Sequence, residues 1–116
     1  MAPKEDKPVP LAIRRGLRVW AQDLATWRRL SGLTQTQLAD RSGVSRRTLI
    51  RLEQGDGGVS LENLLRVLRA LGIFDLLTKA LDPYESEMGR LRSDEKLPQR
   101  VRPTSLTEIA AEGREV

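Results

Sequence analysis

The punctuation of residues 32–72 limits what this chain can fold into more than any other feature. Thr34, Ser45 and Ser60 stand where a short side-chain oxygen can cap the first amides of a helix, and Gly32, Gly43, Gly55 and Gly72 stand where a helix can stop. Thr34-Gln35-Thr36-Gln37 has capping-box spacing: the threonine hydroxyl serves the third helical amide while Gln37 reaches back to the cap. Between these marks apolar residues recur at helical steps, with Leu38 and Ala39, then Leu49 and Leu52, then Leu61, Leu64, Leu65, Leu68 and Leu71. Upstream, Ile13, Leu17, Trp20, Leu24 and Trp27 follow steps of 4, 3, 4 and 3, one face of a further helix, with Arg14, Arg15, Arg18, Asp23, Arg28 and Arg29 mostly off it. Gly16 weakens that helix by roughly 1 kcal/mol relative to alanine, so its first turns are expected to fray.

Ile73 to Leu81 predicts a fifth short helix, broken at Asp82-Pro83. No segment alternates as a strand does, and no repeat is present. The expected fold class is all-α: a proline-rich flexible arm over residues 1–11, a five-helix domain over 12–82 and a short tail over 83–116. Within the tail, residues 84–97 suggest one weak helix and 98–103 an extended stretch. Ser105 to Glu108 suggests a cap for a short helix over 106–112.

The chain has no cysteine and no histidine, which excludes disulfides, thiolate or imidazole metal sites, imidazole catalysis and a histidine pH switch. No cofactor or metal is expected. No apolar run approaches the roughly 20 residues that cross a bilayer, and the polar, proline-rich start does not read as a signal peptide, so the expectation is a cytoplasmic protein. The net charge is +4, concentrated early: residues 1–31 carry seven Lys/Arg against three acids, and 83–116 carry six against seven. That balance favours a polyanionic partner. The glycines at 55, 57 and 58 follow no strand and precede no lysine, so they read as a helix connection rather than a nucleotide phosphate loop.

Arginines gather in the third helix. Advancing by roughly 100° per residue from Arg46 places Ile50, Arg47 and Arg51 near ~40°, ~100° and ~140°, while Leu49 and Leu52 fall near ~300° and ~240°. One side can enter a core and the other is cationic, the shape of a helix that lies in a DNA major groove. Leu38, Val44, Leu49 and Leu52 can converge behind it, and the small Ala39 and Gly43 allow a sharp turn between two helices.

"GLTQTQLADRSGVSRRTLIRLEQG", residues 32–55, resembles the Xre/Cro/lambda-repressor type of helix-turn-helix domain, and the resemblance runs from about Ala25 to Gly72. It implies a lambda-repressor-like fold, double-stranded DNA as partner and no enzyme activity. Carried over residue by residue, it implies that Gln35, opening the second helix, clamps a phosphate, with Thr36 beside it at the backbone. Arg46, Arg47 and Arg51 read bases, Ser45 caps its helix and touches phosphate, and Arg28 pairs with Glu53 inside the domain. Ile50 can pack on a thymine methyl. Which arginine meets a base and which a phosphate is left open. Ser42 stands where an apolar residue is common, suggesting looser packing, and Val59 where proline is common, suggesting a mobile GDGG loop. The basic first helix also begins earlier than is usual in the family.

Specific operators usually take two half-sites, so a homodimer on a palindromic operator is expected, with Ile73, Phe74, Leu76, Leu77 and Leu81 as candidate dimer residues. Residues 84–116 are too few for an inducer-binding domain. "ALDP" at 80–83 and "LPQRVRP" at 97–103 give a second resemblance, to HipB-type antitoxins made beside HipA-type kinase toxins. This implies an autoregulating repressor that also holds a toxin. A stand-alone Xre-type regulator and a protein-interaction adaptor on the same fold are the competing classes.

Overall fold

The computed structural model describes residues 7–96. Six α-helices and one 3-10 turn run through them: α1 (Leu11–Leu30), α2 (Gln35–Ser42), α3 (Arg46–Glu53), α4 (Leu61–Ala70), α5 (Phe74–Leu81), the turn Pro83–Glu85 and α6 (Glu87–Lys96). The chain divides after Gly72 into two compact units, so α5, expected as the fifth helix of the first domain, falls in the second unit.

The starts of α2, α3 and α4 are set by side-chain caps. Gln37 N–H donates to Thr34 Oγ1 at 3.1 Å and Thr34 N–H donates to Gln37 Oε1 at 2.9 Å, closing the capping box of α2. Ser45 Oγ accepts from Thr48 N–H at 3.0 Å to start α3, and Ser60 Oγ accepts from Asn63 N–H at 3.1 Å to start α4. Each such cap contributes about 1 kcal/mol. The helices end at glycines of positive φ, Gly32, Gly43, Gly55 and Gly72. At Gly55 the need is double, because its φ is 82° and an added Cβ would lie 3.3 Å from the Leu17 carbonyl oxygen.

The core lies where α2, α3 and α4 meet. Leu33, Leu38, Ala39, Val44, Leu49 and Val67 form it, and Leu52, Ala70 and Leu71 pack against it. Ser42 is buried with its hydroxyl satisfied: Oγ donates to the Ala39 carbonyl at 3.2 Å, so a polar residue sits at this place without an orphaned group.

Two expected faces are corrected. On α1 the buried residues are Ala21, Leu24 and Ala25, whereas Ile13, Trp20 and Trp27 are exposed. Helix α3 packs on α1, and the side of α1 that bears Ala21, Leu24 and Ala25 is the buried one. The two tryptophans lie roughly 40–60° round from Leu24, on the side away from Ala25. Hydrophobicity gave them weight that the small buried alanines lacked. On α4, Val67 is almost fully buried and Leu61, in the first turn, is exposed. Helix α1 runs from Leu11 through Gly16 without a break. Leu17 lies under the loop that follows α3, with an added Cβ at Gly57 only 3.0 Å from Leu17 Cδ1. That packing offsets the glycine's local cost.

In the second unit, α5 is followed by Asp82, whose carboxylate accepts from Tyr84 N–H at 2.9 Å. Ser86 Oγ then accepts from Gly89 N–H at 2.9 Å and starts α6. Residues 84–96 are therefore a turn and a helix rather than the single weak helix expected, because Pro83 and Ser86 each restart the backbone. Gly89 lies against Pro83, and a Cβ there would stand 2.7 Å from Pro83 Cα. The expected features in residues 1–6, the extended stretch at 98–103 and the short helix over 106–112 lie outside the described residues.

Candidate nucleic-acid interface

Helix α3 shows one apolar side and one cationic side, as the angular positions require. Leu49 is fully buried, while Arg46 and Arg47 are exposed and make no hydrogen bond or ion pair among the described residues. Ile50 and Arg51 are half-buried. The N-terminus of α3 is held by Ser45, whose hydroxyl also donates to Thr48 Oγ1 at 2.8 Å.

The C-terminal end of α3 is pinned to α1. Arg28 Nε donates to Glu53 Oε2 at 2.9 Å and Nη2 to Oε1 at 3.1 Å, a bidentate pair with the two side chains 12% and 7% exposed. Arg28 Nη1 also donates to the Leu33 carbonyl at 2.9 Å, tying in the turn before α2. Gln35 Nε2 adds a third donor to Glu53, at 3.2 Å from Oε1. The carboxylate is thus shared by α1, α2 and α3, and their relative placement is fixed by a planar, bidentate geometry. Gln35 is half-buried, held there by one of its two amide hydrogens, and Thr36 is exposed beside it.

Arg51 has a partner that sequence reasoning missed. Its Nε donates to Asp56 Oδ2 at 2.7 Å. The other carboxylate oxygen accepts from Gly58 N–H at 2.7 Å, and Asp56 N–H donates to the Arg51 carbonyl at 3.1 Å. The Arg51 guanidinium and the Gly58 amide hold the Asp56 carboxyl below the usual carboxylate range. The signal was legible as an aspartate two residues before a glycine, the Asx-turn pattern, placed five residues after an arginine. The loop Gly55–Val59 is consequently held by hydrogen bonds from the amides of Gly55, Asp56, Gly58 and Val59. Val59 N–H donates to the Asp56 carbonyl at 3.4 Å, a donor that proline would lack, which accounts for a non-proline residue in a closed loop.

The candidate dimer residues belong to the second unit. Leu76 and Leu81 are exposed, and Ile73, Phe74 and Leu77 are half-buried. No described helix is long and apolar enough to cross a membrane.

Residues 24–74 match the family model described as "Helix-turn-helix". That family is one of DNA-binding proteins rather than enzymes. A curated relative, an "Uncharacterized HTH-type transcriptional regulator" of Methanothermobacter thermautotrophicus, is 54% identical over 41 residues, which cover 35% of this chain and 59% of that protein. The chain thus spans about three fifths of that relative's length. No solved structure matches significantly. Helices α2 and α3, with the glycine turn between them, lie within residues 24–74, and this part of the chain is similar to helix-turn-helix domains.

Proposed function

We propose that the protein is a transcriptional regulator that binds double-stranded DNA in a sequence-specific way through α3. The observation that carries this reading is the pairing of exposed Arg46 and Arg47, unengaged among the described residues, with a helix whose opposite side and far end are held rigidly by Leu49 and by Arg28–Glu53. A planar arginine fork matches guanine O6 and N7, and a rigid helix delivers it in register. Arg46, Arg47 and Arg51 supply the groove contacts, with Ile50 between them as an apolar contact to a thymine methyl. Gln35, Thr36 and Ser45 meet the phosphate backbone. Gln35 keeps a second amide hydrogen for a phosphate while the first is bound by Glu53.

Within this reading the protein acts in the cytoplasm as a homodimeric repressor on a palindromic operator, with Ile73, Phe74, Leu77 and Leu81 at the dimer surface. The exposed Leu76 and Leu81 support an apolar interface. The antitoxin role, with a HipA-type toxin as second partner, rests on "ALDP" and "LPQRVRP" alone.

The test is a duplex-DNA titration across a salt series. Affinity should fall with salt, with a slope of about 0.9 per phosphate neutralised. Binding indifferent to salt would contradict the reading.

A further inference from the structure

The Arg51–Asp56 pair sits at the edge of the cationic side of α3, and Asp56 is not free to follow Arg51 outward. Its Oδ1 is taken by Gly58 N–H and its backbone N–H by the Arg51 carbonyl, so the carboxylate is anchored to the loop. Gly58 has no side chain to interfere: an added Cβ would lie 3.0 Å from Asp56 Oδ1 and 3.3 Å from Arg51 Nη2. The guanidinium therefore has Nε committed to Asp56 and Nη2 on the side of Gly58, and neither Nη makes a hydrogen bond among the described residues. By contrast Arg46 and Arg47 have no such partner among the described residues.

We propose that Asp56 is a specificity-determining positioning residue: it orients the end-on edge of Arg51 toward one base pair and cancels the charge that Arg51 would otherwise lend to any phosphate. This deepens the DNA-binding reading and rests on it. Two consequences follow from the chemistry. A guanidinium fixed in direction by a carboxylate discriminates between base edges better than one that swings, because less rotamer freedom is lost on contact. A cation already neutralised releases fewer counterions, so it adds little to sequence-independent binding.

The experiment uses the full chain, with base preference read from a randomised duplex library and non-specific affinity read on poly(dI-dC) across a salt series. Asp56→Asn keeps the side-chain shape and an oxygen for Gly58 but removes the charge. It should flatten preference by roughly tenfold at a single position, within the range of one arginine–guanine pair. Arg51→Ala should flatten that same position. Asp56→Asn should also tighten poly(dI-dC) binding and steepen its salt slope by about 0.9, one further phosphate contact. Arg51→Lys leaves the Asp56 turn in place and keeps a charge that can pair, but has no fork. It should lose the same preference with the loop intact, which keeps the proposal testable if Asp56→Asn proves unfolded. A purely structural Asp56 would weaken all sequences alike, and that outcome overturns the proposal. So does an unchanged preference in Asp56→Asn, or in Arg51→Lys if only that variant folds, while the parent chain binds its site. A parent chain with no salt-dependent DNA binding overturns the DNA-binding reading and this proposal with it.

Discussion

Glu53 is the residue on which the geometry of the domain turns. Its two oxygens accept three side-chain hydrogen bonds, two from Arg28 and one from Gln35, in a setting where both members of the ion pair are largely buried. Removing the charge from one member leaves the Arg28 guanidinium partly desolvated without compensation. Glu53→Gln should therefore destabilise the chain by about 3 kcal/mol, at the low end for a broken buried pair, read as a shift in the urea midpoint. A midpoint within error of the parent would mean that Arg28 finds another acceptor. The pairing of Arg28 with Glu53 was legible in the residues because it was carried by resemblance to a family. The third donor was not, since an amide at position 35 does not reveal from spacing alone which acceptor it reaches. Arg51 shows the same limit: its angular position puts it on the cationic side, but only the folded loop brings Asp56 to its Nε.

Among the elements, boundaries were easier to read than faces. Caps and glycine stops are local chemistry, determined by a few adjacent residues, and the capping box of α2 and the Ser45 and Ser60 caps all form as the residues imply. Which side of α1 is buried depends on what packs against it, and there Ala21 and Ala25 go inward while Trp20 and Trp27 stay exposed. The loop after α3 is an element of this tertiary kind. It rests on Leu17, in the part of α1 that precedes the residues matched to the helix-turn-helix family. Two glycines separate backbone strain from steric contact here. Gly32 has φ 71° and open space where a Cβ would go, whereas Gly55 has φ 82° and the Leu17 carbonyl 3.3 Å away. Gly32→Ala should cost about 1 kcal/mol, the left-handed penalty for an alanine. Gly55→Ala should cost more than that by thermal unfolding, because α1 must also shift. Equal losses at the two positions would show that the loop yields without disturbing α1.

For the whole molecule, the all-α class and the order of the helices could be read from periodicity and caps, because both are short-range. The division after Gly72 could not, because a unit boundary depends on long-range packing that no local signal records. A rigid three-helix frame carries two arginines, Arg46 and Arg47, that are unengaged among the described residues, and on the proposed reading these two side chains choose the DNA sequence. The most direct measurement compares the base preferences of the parent chain and the Arg46→Ala, Arg47→Ala double variant on a randomised duplex library, with folding verified by thermal melts. The variant should melt as the parent does, retain weak salt-dependent binding, and lose preference at the positions the two arginines read, each by roughly tenfold. A folded double variant that selects the same sequences as the parent would contradict that reading.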